Sequence, residues 1–306
     1  MQSIKVTSPA TLSNLCCGFD VLGMALHEPY DLIQLSTRGQ PGISIQHIDS
    51  YGLPVDPKVN IAGVALNAMM EELNLQHGFD VIIEKKIKPG SGIGSSAASA
   101  AGIVVAANHL LGNPFSKQQL VSFAMEGEVL ASGSRHADNL APCIYGGLVL
   151  IRDTQSLDII DISTPPLFIT IVHPQIEIKT SYAREILPKE ISLKSAVVQW
   201  ANFAGLITGF LNADYKLIGR SLQDVIVEPV RSKLIPGFEE VKKKSIDAGA
   251  LGGGISGSGP SLFMLSETEA IAKDVEKEMK SVYDHLGIEY KTYTTSVASN
   301  GVEIIK

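Results

Sequence analysis

Cysteine is scarce in this 306-residue chain: Cys16, Cys17 and Cys143 are the only three, an odd number without metal-ligand spacing. That argues against a disulfide framework and fits a reducing compartment, with the thiols expected as small buried hydrophobes. No window approaches the ~18 uninterrupted apolar residues of a membrane-crossing helix, so no membrane partner is expected. The opening run MQSIKVTSPATLSN lacks an apolar stretch behind a basic start. No secretory signal is therefore expected, and a cytoplasmic location is. Positive charge is short too: 25 Lys and Arg stand against 32 Asp and Glu, net −7. That disfavours a nucleic-acid partner, which wants a basic face. Solenoid-period repeats and low-complexity tracts are absent.

What is present is enough apolar material, 45% of the chain, for one large or two medium packed domains. The first third reads as strands at the N-terminal IKVTSP, at 31–37 and at 43–48, then a helix from Asn60 to Gln76. FDVIIEKKI (79–87) reads as a further strand. PGSGIGSSAASAAGIVVAANHLLG (89–112) passes from a glycine-rich turn into a small-residue helix. Ser116 and Gln119 form a capping box that starts a helix running to Ser132. IYGGLVLIRD (144–153) reads as the strand closing this half, and the Thr-Pro-Pro at 164–166 marks a junction, giving domains 1–163 and 164–306. The second half alternates strands at 167–173, 261–266 and 290–297 with helices at 193–211, 214–225, 237–248 and 267–286. Such interleaving in both halves predicts a two-domain α+β protein.

The strongest local signal is Gly90-Ser91-Gly92-Ile93-Gly94-Ser95-Ser96 between a strand and a helix. Glycine lets the backbone approach a ligand, and the helix start offers unpaired N–H groups to a phosphate. The serine hydroxyls could reach phosphate or a magnesium ion. The spacing matches neither the Walker A loop nor the dinucleotide fingerprint, and a tight packing turn is the competing reading. A second glycine–serine loop spans 252–260, and alone it reads as a flexible connection. Glu128 offers a hard oxygen to magnesium or belongs to a solvated helix face. His136 orients a ligand or is a bonded core histidine. Arg184 and Arg231 are candidates for a carboxylate clamp, since guanidinium grips carboxylate as a fork. Asn14 and Asp20 cap a turn or hold an ammonium group and a hydroxyl.

Three segments, PATLSNLCCGFDVLG, GSGIGSSAAS and GGGISGSGPS, resemble the small-molecule kinases that include galactokinase, homoserine kinase, mevalonate kinase and phosphomevalonate kinase. HADNLAPCIYGG (136–147), KTSYAREILP (179–188) and IVEPVRSKLIPGFEEVKK (226–243) bring the similarity closest to the homoserine kinases. It departs at the loop entry, where Pro89 abuts Gly90, and at Gly92-Ile93-Gly94 in place of Gly-Leu-Gly. The resemblance implies an α+β two-domain kinase fold. Its N-terminal domain would carry a left-handed βαβ crossover, and its C-terminal domain a ferredoxin-like α/β sandwich. It implies ATP, Mg²⁺ and L-homoserine as ligands, phosphorylation of the homoserine hydroxyl for threonine biosynthesis, and a fold often found as a homodimer. By position, Pro89, Gly90, Ser91, Gly92, Ile93, Gly94, Ser95, Ser96, Ala97, Ala98 and Ser99 become the nucleotide loop. Ser96 and Glu128 face magnesium. Asn14, Asp20, His136, Arg184 and Arg231 form the acceptor pocket, with Thr180 beside the transferred group. Asn14, Asp20 and Asn139 orient the hydroxyl, and no strong general base is expected, leaving the role of Asp138 open.

Overall fold

In the computed structural model, residues 2–133 and 135–305 are described. The first sheet is built from β1 (Ser3–Ser13), β2 (Leu22–Arg38), β3 (Ile43–His47), β4 (Gly78–Glu84), β5 (Leu148–Asp153), β6 (Asp158–Ile162) and the C-terminal β11 (Glu303–Ile305). Its order is β11-β1-β2-β4-β3, with β5 and β6 continuing from the far end of β2. Seventeen residues long, β2 reaches β1, β4 and β5 in turn. Among the described strands of this sheet only β3 and β4 pair in parallel, and α1 (Ile61–Glu72) is the crossover between them.

Helices α1, α2 (Ser95–Leu110), α3 (Lys117–Ser132) and α4 (Leu140–Tyr145) cover this sheet. The composition of α2 explains its seat. Alanines 97, 100, 101, 106 and 107 let it lie close against β1 and β2, in one core with Val6, Ile33 and Leu35. A methyl group on Gly102 would come within 2.4 Å of Ile33 Cδ1. Helix α3 starts with the capping box read from the sequence, Ser116 and Gln119 satisfying each other's backbone N–H groups.

The second sheet has the order β10-β7-β9-β8, from β7 (Phe168–Pro174), β8 (Gly252–Ile255), β9 (Leu262–Ser266) and β10 (Tyr290–Ser296), all neighbours antiparallel. With helices between β7 and β8 and α10 (Glu269–Leu286) between β9 and β10, this is the ferredoxin-like pattern. The intervening helices are α5 (Thr180–Glu185), α6 (Leu193–Leu211), α7 (Tyr215–Ser221), α8 (Glu228–Arg231) and α9 (Phe238–Asp247). Helix α10 buries Ala272, Val275, Met279 and Val282, one stripe at helical spacing. A shared core joins the lobes, where Leu12, Leu22 and Leu26 meet Ile169, Ile171, Phe263 and Phe210.

Several boundaries differ from the sequence reading. Ile144 and Tyr145 end α4 instead of opening a strand. Gly146 (φ 83°) turns the chain there, where a methyl group would strike the Ser299 carbonyl at 2.4 Å. Helix α1 stops at Glu72, four residues early, before the left-handed Asn74. Helix α7 stops at Ser221, because Asp224 takes the N–H groups of Ile226, Val227 and Glu228 and so starts α8. Gly252 to Gly254 form an edge strand, not a flexible connection. No described helix is long and apolar enough to cross a membrane, and all three cysteines are buried thiols.

Candidate active site

The start of α2 lies at the bottom of a cavity of about 310 Å³ between the lobes, within the range of small-ligand sites. Gly94, the N-cap of α2, sits at φ 71° and has no side-chain cap, so the N–H groups of the first turn face outward. Two glycines are dictated by crowding as well as by φ. A methyl group on Gly94 would stand 2.0 Å from Thr11 Oγ1, and one on Gly92 (φ 83°) 2.6 Å from the Gly259 carbonyl.

Of the predicted loop residues, Pro89, Gly90, Gly92, Gly94, Ser95, Ser96 and Ser99 line the cavity. The side chains of Ser91, Ile93, Ala97 and Ala98 do not. Ser91 is buried, Ile93 and Ala98 belong to the interlobe core, and Ala97 packs under the first sheet. The two serines at the helix start also divide their work. Ser95 donates its hydroxyl to the Ile87 carbonyl (2.8 Å), whereas Ser96 donates to Glu128 (2.9 Å). Ser96 and Glu128 therefore offer two hard oxygens side by side. Among the described residues no cluster of three or more potential side-chain ligands exists. Two protein oxygens suit a nucleotide-borne Mg²⁺, which takes its remaining ligands from phosphate and water.

The sequence reading passed over Lys85. Its ammonium lies buried behind the loop, paired with Asp31 and bonded to the Ser95 carbonyl (2.7 Å) and Ser99 Oγ (3.0 Å). Asp31 also accepts from the backbone N–H groups of Lys86 and Ile87. The pair neutralises itself and ties β2 and β4 to the helix start. The signal available was a lysine pair ending an otherwise apolar strand. Ser13, Phe19, Leu53 and Ile61 also line the cavity and were not anticipated.

The two glycine–serine loops meet directly. Ser256 donates its hydroxyl to the Gly92 carbonyl (2.7 Å), and Ser261 donates to the Ser91 carbonyl (2.6 Å). The second lobe thus holds the first lobe's loop in shape. Ser261→Ala removes the hydroxyl donor while the Ser261 N–H keeps its bond to the same carbonyl (3.3 Å), a cost of about 0.5–1.5 kcal/mol. The expected outcome is a several-fold rise in the KM for ATP with the KM for the acceptor unchanged, read by steady-state kinetics.

The opposite wall carries charge. Asp20 and Arg184 form a two-pronged pair at 3.0 and 2.8 Å. Arg184 and Arg231 both stand 5.3 Å from the Phe19 ring centroid. Arg231 is buried, donating Nε to the Ala183 carbonyl (2.9 Å) and Nη1 to the Gly257 carbonyl (3.0 Å). Burial, then the charge of Arg184, lowers its pKa to about 10, so it stays cationic at neutral pH. His136 Nδ1 is 3.9 Å from Asp20, while Nε2 is buried without a hydrogen-bond partner. Burial pushes the imidazole below its ordinary range, against the pull of Asp20.

Asn14 lines the cavity and is also bonded within the protein. Its amide donates to the Gly257 carbonyl (3.0 Å) and its oxygen accepts the Asp20 N–H (3.0 Å), so both polar ends are tied to protein. Asn14, Leu15, Cys16 and Asp20 all have positive φ, a strained turn that these bonds hold. Asn139 receives the Thr11 hydroxyl on its oxygen (2.8 Å), which leaves its NH₂ as the end able to donate. Thr180, at the start of α5, shares a hydrogen bond with Ser258 (3.2 Å). Asp138 is buried beside them. Desolvation, then the charge of Asp20, pushes its carboxyl up to about 7, against the hydrogen bond from Ser13.

A helix start open to phosphate, facing a pair of arginines across a cleft between two α+β lobes, defines a phosphotransferase for small acceptors. The model described as GHMP kinases N terminal domain matches residues 60–147, and that described as GHMP kinases C terminal matches 206–285. The homoserine kinase of Chloroherpeton thalassium is 47% identical over 92% of this chain and 93% of its own length. That of Methanocella arvoryzae is 39% identical over 100% and 98%. The crystal structure of homoserine kinase from Cytophaga hutchinsonii superposes with a TM-score of 0.96, at 47% identity over 100% of this chain and 98% of that one. The chain belongs to the GHMP kinases, and within them to the homoserine kinase family. L. major mevalonate kinase, 16% identical with a TM-score of 0.74 over 96% and 95% of the two chains, shares the fold.

Proposed function

We propose that this protein transfers the γ-phosphoryl group of ATP to the hydroxyl of L-homoserine, giving ADP and O-phospho-L-homoserine, in the cytoplasm. One observation carries the reading: the open start of α2 and the Asp20–Arg184 pair face the same cavity. A zwitterion fits that wall, its ammonium toward Asp20 and its carboxylate toward Arg184 and Arg231. Mevalonate and sugars lack the ammonium group. Asn14 then acts as a positioning residue for Asp20, and His136 closes the pocket beside it. Residues 1–163 form the nucleotide-binding domain and 164–306 the second domain, with β11 returning to the first sheet.

Phosphoryl transfer through a loose transition state needs alignment and charge neutralisation more than nucleophile activation. The backbone N–H groups from Gly94 onward hold the phosphate oxygens. Asn139 and Thr180 stand on the acceptor side, positioned to orient the hydroxyl and the group in transit. Ser96 and Glu128 would hold Mg²⁺, which when bound neutralises phosphate charge. Glu128→Gln removes the charge from this pair and keeps its shape. Its Mg²⁺ requirement for half-maximal rate is expected to rise by roughly tenfold or more, checked by titrating Mg²⁺ at saturating ATP.

The direct test is ADP formation in a coupled assay across an acceptor panel. Homoserine alone among homoserine, mevalonate, shikimate and galactose is expected to support turnover. ADP release that ignores homoserine rules the assignment out.

A further inference from the structure

Gln199 is the odd residue on the inner face of α6. Its neighbours there are Ala196, Leu206, Gly209 and Phe210, yet the glutamine is only 7% exposed. A buried amide is costly unless its polar ends are bonded, and these are. Nε2 donates to the Cys17 carbonyl (3.2 Å) and to Asp224 Oδ1 (3.0 Å), while Oε1 accepts the Val225 N–H (3.0 Å). Asp224 is buried as well. It accepts the N–H groups of Ile226 and Val227 on Oδ1 and that of Glu228 on Oδ2.

Both ends of this network lead to the acceptor wall. Cys17 lies in the strained turn that presents Asp20, and its thiol donates to the Ser221 carbonyl at the end of α7 (3.5 Å). Asp224 starts α8, whose last residue is Arg231. Asn14 ties the same turn from the cavity side through the Gly257 carbonyl, which Arg231 shares. Positive φ at Asn14, Leu15, Cys16 and Asp20 stores strain. Such a turn keeps its shape only while its surroundings over-determine it, and Gln199 supplies the bond from behind.

Given the homoserine reading of that wall, on which this role rests, we infer that Gln199 is a positioning residue for the acceptor. Through Cys17 and Asp224 it fixes the span between Asp20 and Arg231, and so the size of zwitterion that fits between them. Gln199 itself does not line the cavity. Charge agrees with the geometry. Burial and Arg184 disfavour the cation at Arg231, whereas Asp20, Asp224 and Asp138 favour it. Holding Asp224 at the start of α8 thus supports both the place and the charge of that guanidinium.

Steady-state kinetics with homoserine and ATP varied in turn is the test, with thermal melts to show that each variant is folded. Gln199→Met keeps the length of the side chain and removes its hydrogen bonds to Cys17, Asp224 and Val225. It should raise the KM for homoserine roughly tenfold and leave that for ATP within about twofold. Gln199→Glu keeps an acceptor for Val225 but sets a carboxylate against Asp224 and the Cys17 carbonyl. Its homoserine KM should rise roughly 100-fold. Adding Asp224→Asn to Gln199→Glu removes the like charge and restores a donor between the two side chains, so about tenfold of that loss should return. Two merely destabilising changes would compound instead. Gln199→Met, the milder change, decides alone where Gln199→Glu does not fold. An unchanged homoserine KM in Gln199→Met overturns the role, as does a parallel rise in both KM values or a double variant no better than Gln199→Glu. A parent whose ADP release ignores homoserine overturns the acceptor reading, and this role with it.

Discussion

Arg184→Ala is expected to raise the KM for homoserine by about 100-fold or more while leaving the KM for ATP within about twofold. The magnitude follows from losing a charged, two-pronged contact in a partly enclosed site, where truncating one partner costs about 2–5 kcal/mol. Two effects add. The substrate carboxylate loses its fork, and Asp20, now held at 3.0 and 2.8 Å by that guanidinium, loses the group that aims it. Arg184→Lys keeps the charge but not the geometry, so it should recover only part of the loss. Arg231→Ala should be worse for folding. Arg231 is buried and carries two hydrogen bonds to backbone carbonyls, whereas Arg184 is partly exposed. Kinetics with each substrate varied, paired with thermal melts, separates the two arginines. An unchanged homoserine KM in Arg184→Ala removes the clamp from the mechanism.

Much of this was legible beforehand, and what was not has physical reasons. Local rules were enough for the capping box at Ser116 and for the glycine-softened start of α2. In each, a side chain or a torsion within a few residues decides the outcome. Gly146 misled one boundary because the Ser299 carbonyl that crowds it comes from far along the chain, whereas Asp224 misled another although its three N–H partners, Ile226, Val227 and Glu228, lie within four residues, a local turn signal that went unread. The site divides the same way. Ser96, Glu128, Arg184 and Arg231, singled out one by one along the chain, all line one cavity. Lys85 escaped notice because its meaning lies in Asp31, 54 residues away, and in a helix carbonyl with no sequence signature. The bond that the Asn14 amide donates to the Gly257 carbonyl was equally hidden, because Gly257 lies in the other lobe. Charge pairs and interlobe bonds are non-local, and a single sequence does not print them.

Asp138→Asn separates two chemistries that share one carboxyl. Burial raises its pKa from 3.8 to about 7. In the unfolded chain the group ionises near 4, so between pH 4 and 7 the folded state binds a proton that the unfolded state does not. Stability therefore falls as pH rises through that window and levels off above 7. At 1.36 kcal/mol per unit the whole effect is about 4 kcal/mol, an upper figure for one buried group. The amide cannot ionise, so Asp138→Asn should match the parent near pH 4 and melt several degrees higher at pH 8. Comparing the two proteins at each pH cancels the other titrating groups, including the raised Glu228. For turnover, catalysis by alignment predicts that the variant keeps kcat within roughly tenfold, because Asn139 and Thr180 still orient the hydroxyl. A general base predicts a loss of about 10⁴-fold and the disappearance of a limb near pH 7 from the rate profile. With unchanged homoserine affinity and a native melt, that loss would make Asp138 the base and end the account based on orientation alone.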